Sequence, residues 1–127
     1  MINLKGIVVL AVMVVLVGAS TAHAGKRLTT GSSGLSTRVE CTVVNVSDQK
    51  TITVDIIVRT GSGGVATQAL GIVLPPLTTI LVVNTATDRR CEFVVVSGGS
   101  AKHLRGSMVV YDPDTSTVAT IEHAREK

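Results

Sequence analysis

Between residues 50 and 60 the chain alternates strictly enough to fix its local structure. Ile52, Val54, Ile56 and Val58 fall on one side, Thr51, Thr53, Asp55 and Arg59 on the other, and only Ile57 interrupts the polar side. A period of two belongs to a strand with one buried and one solvated face, whereas a helix needs a period near 3.6. No segment after the amino-terminal leader carries a helical period of useful length. The chain there is rich in Val, Ile, Leu and Thr, the composition of pleated, half-buried surfaces. The fold has to be built from sheets.

Other strand signals recur at short intervals. They cover residues 38–46, 50–60, 65–74, 78–84, 90–97, 106–111 and 117–122, with the third interrupted by Gly71. Turn chemistry separates them: Asn45-Val46-Ser47-Asp48, Gly61-Ser62-Gly63-Gly64, the Pro75-Pro76 corner, Ser97-Gly98-Gly99-Ser100 and Asp112-Pro113-Asp114-Thr115. About seven short strands with turns every 8 to 12 residues predict an all-β, immunoglobulin-like antiparallel sandwich, with a small barrel as the alternative. The chain has no Trp, so the core Trp of antibody domains has no counterpart.

The first 24 residues stand apart from this pattern. Lys5 precedes an apolar run over residues 6–18, and Ala22-His23-Ala24 fits the small-x-small rule for signal peptidase cleavage before Gly25. An apolar run of about 13 residues is shorter than the roughly 20 a membrane-spanning helix needs. The expected organisation is a signal peptide at 1–24, a flexible polar arm at 25–36, a β-sandwich domain at 37–123 and a polar tail at 124–127. The protein is expected to be exported, to a periplasm or outside the cell, with no transmembrane segment after cleavage.

Cys41 and Cys91 are the only cysteines. In an oxidising compartment the default for such a pair is one disulfide, which across a loop of about 51 residues stabilises a fold by roughly 4 kcal/mol. A reactive thiol or a thiolate metal ligand has no support, since there is no Cys-x-x-Cys and no histidine beside either cysteine.

The order Cys41-Thr42-Val43-Val44-Asn45-Val46-Ser47, Leu74-Pro75-Pro76, Cys91-Glu92-Phe93 and Arg105-Gly106 resembles small exported bacterial β-sandwich proteins of unknown function. In that group a Gly usually follows the two prolines, whereas Leu77 stands here. The resemblance implies the fold and carries no site residues.

Without Lys5 the chain has 11 basic and 9 acidic residues, a net charge of +2, too small and scattered to imply nucleic acid. Phe93 and Tyr111 are the only aromatic residues, so no platform exists for stacking bases or sugar rings. The densest basic spots, Arg89-Arg90 and Lys102-His103-Leu104-Arg105, make Arg89, Arg90, Lys102, His103 and Arg105 the candidates for binding an anionic surface such as lipid headgroups or an acidic glycan. Basic loops are more often plain solvated surface.

Other chemistry finds little footing. His103, Ser107 and Asp112 could be drawn as a triad, but no Gly-x-Ser-x-Gly accompanies them. A copper site would need His and Met soon after Cys91, which is followed by Glu-Phe-Val-Val-Val. Glu92, Asp112 and Asp114 could hold Ca²⁺ at one end of a sandwich, although such turn carboxylates are usually turn formers. Asn45-Val46-Ser47 satisfies a glycosylation sequon, but a simple turn is the preferred reading in a bacterial protein. The sequence therefore predicts a non-enzymatic binding or structural role without cofactor or metal, its partner an anionic surface or another protein. A self-assembling surface or filament subunit is the alternative, because Val- and Thr-rich edges template further strands.

Overall fold

The computed structural model describes residues 27–34, 38–115 and 117–126. The expected signal peptide at 1–24 lies outside them. Among the described residues nine strands run β1 (Arg27–Thr29), β2 (Val39–Asn45), β3 (Ile52–Thr60), β4 (Val65–Leu74), β5 (Thr79–Asn84), β6 (Arg89–Ser97), β7 (Leu104–Tyr111), β8 (Val118–His123) and β9 (Arg125–Glu126), with one 3₁₀ turn at Ala101–His103. They form two antiparallel sheets in a sandwich-like arrangement, one of five strands ordered β4-β3-β6-β1-β9 and one of four ordered β5-β2-β7-β8.

The alternation read in the sequence is what makes the layers. Ile52, Val54, Ile56 and Val58 of β3 and Cys91, Phe93 and Val95 of β6 face Val39, Cys41 and Val43 of β2 and Leu104, Met108 and Val110 of β7. Each inward side chain is removed from water, the principal source of stability for a sandwich of this kind. Gly106 sits opposite the Phe93 ring, where a Cβ would collide with it. A bulkier residue there would force the largest core side chain to move.

The Cys41–Cys91 disulfide joins β2 of one sheet to β6 of the other, with Cα atoms 5.6 Å apart. Both residues are fully buried. The bond spans the interior, so it fixes the two layers to each other as well as closing a loop.

Two segments depart from expectation. Within the expected polar arm, residues 27–29 form β1, paired with β6 on one side and β9 on the other. Leu28 enters the core at 6% exposure, Thr30 N–H donates to Cys91 O, and Cys91 N–H donates to Thr30 Oγ1. The cause is tertiary, because without β1 the backbone edge of β6 would be unpaired. The expected polar tail is docked too, since Arg125 and Glu126 pair with Thr29 and Leu28, and Ala124 packs against the core.

Asn45 settles how its own side chain is used. It is fully buried, its Nδ2 donates to the carbonyls of Lys50, Leu74 and Pro75, and its Oδ1 accepts from Ser47 N–H. A folded chain has no free amide there to carry a glycan, and the turn reading accounts for the residue. Leu77, where the resembling proteins have Gly, adopts a left-handed φ of 58°. Glycine reaches that conformation without the steric cost a Cβ brings.

Candidate anion-binding cleft

Outward-facing positions of the five-stranded sheet carry most of its charge. On β6 the residues between the inward Cys91, Phe93 and Val95 are Arg90, Glu92 and Val94. On β3 they include Ile57 and Arg59, and on β1 Arg27 and Thr29. Cross-strand register then assembles them: Arg59 lies opposite Arg90, and Thr29 and Ile57 lie on either side of Glu92. Arg27, Thr29, Arg59, Gly63, Arg90 and Glu92 line an open cleft of about 220 Å³.

Glu92 is the internal counter-ion. The residue is only 5% exposed, and its carboxylate accepts from Arg59 Nε at 2.9 Å and Arg59 Nη2 at 3.4 Å, a two-pronged arrangement. Arg27 Nε stands 3.5 Å from the same carboxylate. A buried carboxylate is tolerated only when paired in this way. The Glu92 carboxylate raises the pKa of Arg59, first by hydrogen bonding and second by its charge, so that guanidinium stays cationic throughout the accessible pH range. Arg59 Nη1 also donates to Gly63 O, fixing the β3–β4 hairpin as the wall of the cleft. Gly63 has φ 98°, a conformation side chains avoid, and lies beside Arg90 Nη2.

Two guanidiniums therefore pair with one carboxylate, and a third, that of Arg90, lines the same cleft. Two polar atoms are left over: Arg90 Nε and Thr29 Oγ1 are buried and have no hydrogen-bond partner in the protein. A buried polar group without a partner costs about 1–3 kcal/mol. Here both belong to residues that line the same cleft, which holds more cations than anions.

The basic residues singled out in the sequence do not assemble. Arg90 is in the cleft. Arg89, its neighbour, is turned to the other side, donating to Asn84 Oδ1 and to the carbonyls of Thr87 and Asp88. Lys102, His103 and Arg105 lie past the far end of β6, about 25 Å along the strand from Arg90 at 3.3 Å per residue. There Arg105 Nη1 donates to Lys102 O and Leu104 O, and Ser100 N–H donates to His103 Nδ1. His103 and Asp112 flank opposite ends of β7, so the drawn triad with Ser107 is not brought together.

Arg27, Arg59 and Thr29 were not among the sequence candidates. A signal for them existed in Glu92, a charged residue set in the middle of an apolar run between two inward positions, which requires a cationic partner from a neighbouring strand.

No family model matches the chain, and no curated protein matches it. The crystal structure of Thermotoga maritima 1070 is similar in fold, with a TM-score of 0.56 at 5% identity, over 82% of this chain and 96% of that one. At that identity the likeness concerns the fold alone.

Proposed function

We propose that this protein is an exported, non-enzymatic binding module that holds a small anionic group, a carboxylate or a phosphate-class oxyanion, in the arginine cleft. The observation that carries the reading is the pair of buried, unpartnered donors, Arg90 Nε and Thr29 Oγ1, in a cleft lined by three arginines and one glutamate. An anion accepting from both atoms would satisfy them and balance the excess of positive charge. Arginine suits the task, because its planar fork matches two oxygens of a carboxylate or phosphate. At about 220 Å³ the cleft fits a small ion or one acidic group of a larger partner.

Export is supported by the amino-terminal sequence pattern and by the disulfide, which persists in oxidising compartments. Among the described residues no helix is long and apolar enough to cross a membrane.

The sandwich also supports an immunoglobulin-like reading of its centre. If β2, β3, β5 and β6 stand for strands B, C, E and F of that fold, B pairs with E, C pairs with F, and the disulfide bridges B and F, as in antibody domains. The flanking strands are exchanged: β7 lies beside β2 where the immunoglobulin fold has its first strand, and β1 lies beside β6 where it has its last.

Calorimetric titration with sodium phosphate, sulfate and acetate against a chloride background tests the binding. The expected result is a single site that prefers at least one of these anions to chloride and weakens about tenfold or more in Arg90→Gln, the loss expected for a charge-assisted hydrogen bond. Equal affinity in wild type and Arg90→Gln would refute the assignment.

A further inference from the structure

The exposed apolar surface is concentrated on one flank. Of the ten large hydrophobic side chains that stand exposed among the described residues, Val65, Leu70, Val73, Leu77, Leu81 and Val83 belong to β4, β5 and the corner between them. These two strands are the free edges of their respective sheets, and their sixteen residues include no charged side chain. Natural sheets normally blunt a free edge with charges, proline or a bulge, because unpaired N–H and C=O groups invite another strand.

The two edges differ in how they are guarded. Along β4 the register with β3 shifts twice, Gly71 takes a left-handed φ of 64°, and its N–H donates to Asp55 Oδ1. The bulge bends that edge and occupies an amide that would otherwise be available. Along β5 the register with β2 is unbroken from Val39↔Asn84 to Val44↔Thr79. Asn45 N–H donates to Thr78 O, which fixes the phase of the ladder. By antiparallel alternation Ile80, Val82 and Asn84 bond to β2, while Thr79, Leu81 and Val83 turn their N–H and C=O groups to the open edge. Leu81 and Val83 also sit on the outer face, 51% and 44% exposed.

The geometry points to a twofold dimer in which β5 pairs antiparallel with β5 of a second copy. With Leu81 opposite its own counterpart, Thr79 meets Val83 at each end, and the outward groups form on the order of six backbone hydrogen bonds. The two four-stranded sheets become one of eight. A second copy is the occupant that fits, because the pairing is self-complementary and, in a chain of net positive charge, this neutral edge brings no like charges together. The far edge, β8, is guarded by Glu122, whose register opposite the buried Met108 turns it to the inner side of the sheet. One open edge and one guarded edge give a closed dimer and no filament. The interface is on the opposite sheet from the arginine cleft and independent of it.

Sedimentation equilibrium of the purified protein tests this, alongside Leu81→Lys, Leu81→Pro and Ile121→Lys. The wild type should sediment as a dimer. Leu81→Lys should raise the dimer dissociation constant at least roughly 30-fold by setting two cations face to face. Leu81→Pro should also give monomer, since it removes an N–H that the β2 ladder does not use, and its circular dichroism and thermal midpoint verify folding. Ile121→Lys, on β8, should leave the dimer intact. A wild-type monomer, a dimer that survives both Leu81 substitutions in folded protein, or dissociation by Ile121→Lys would overturn the proposal.

Discussion

Two basic clusters of this molecule have similar composition and opposite character. Lys102, His103 and Arg105 are adjacent in sequence and lie around a single 3₁₀ turn, where Arg105 and His103 bond to groups of their own segment. Arg27, Arg59 and Arg90 come from three strands far apart in sequence, and register brings them into one cleft with a buried carboxylate and two buried donors left unpartnered. A run of charge along the chain is solvated locally and its donors are soon used. A cluster made by cross-strand pairing can leave donors without a protein partner, and that is a condition for a binding site.

The disulfide provides the coarsest way to break this contrast. Cys91 lies between Arg90 and Glu92, so replacing Cys41 and Cys91 by Ala removes the tie beneath the cleft. Unfolding in urea should show stability lowered by about 2–5 kcal/mol. Anion affinity should fall in the same variant, while the hydrogen bonds of the 3₁₀ turn, local in sequence, should persist in amide exchange.

Glu92→Gln sharpens the comparison from inside the cleft. It leaves Arg59 and Arg27 without their internal anion, so stability should fall by about 1–3 kcal/mol. Affinity for added phosphate should rise, because the guanidiniums then have only the ligand to neutralise them. A fall in affinity would mean that Glu92 is needed to shape the cleft.

A smaller effect of opposite sign is expected at Thr29. Thr29→Val removes a buried hydroxyl that has no partner and keeps the shape of the side chain, so thermal stability without anion should rise by about 1 kcal/mol. Anion affinity should fall in the same protein. Lys102→Gln combined with Arg105→Gln should change neither quantity measurably.

The smallest effect concerns pH at the β7–β8 turn. Asp112 Oδ1 accepts from Asp114 N–H at 2.8 Å and Thr115 N–H at 3.2 Å, and these backbone hydrogen bonds, Asp114 first, hold its carboxyl below the usual carboxylate range. A depressed folded pKa means that the contribution is fully present above the unfolded pKa and is lost as pH falls through the folded one. The protection of the Asp114 and Thr115 amides, measured as exchange corrected for its intrinsic pH dependence, should therefore fall in acid before that of the strands, and protection unchanged across that range would show that the carboxylate does not hold the turn.

Much of the fold was legible in the sequence because alternation and turn chemistry are local properties. All seven segments singled out there are strands, from Val39–Asn45 to Val118–His123, and the two cysteines meet. What escaped was set by partners distant in the chain. Arg27–Thr29 has a single apolar residue and becomes a strand because β6 has an edge to fill. Arg125–Glu126 is added in turn by the edge β1 provides. The cleft was legible only in part: Arg90 stood among the candidates, but Arg59 reads as the polar side of a strand and Arg27 as an arm. Register is what unites them, and a single sequence does not print register.

The most direct test follows the guanidinium Nε–H signals by nuclear magnetic resonance while inorganic phosphate is added. Arg90 Nε–H should shift saturably and exchange more slowly with water as it gains an acceptor, while Arg105 Nε–H remains unmoved. A response shared equally by Arg90 and Arg105, or none at Arg90, would contradict the assignment of the cleft as an anion site.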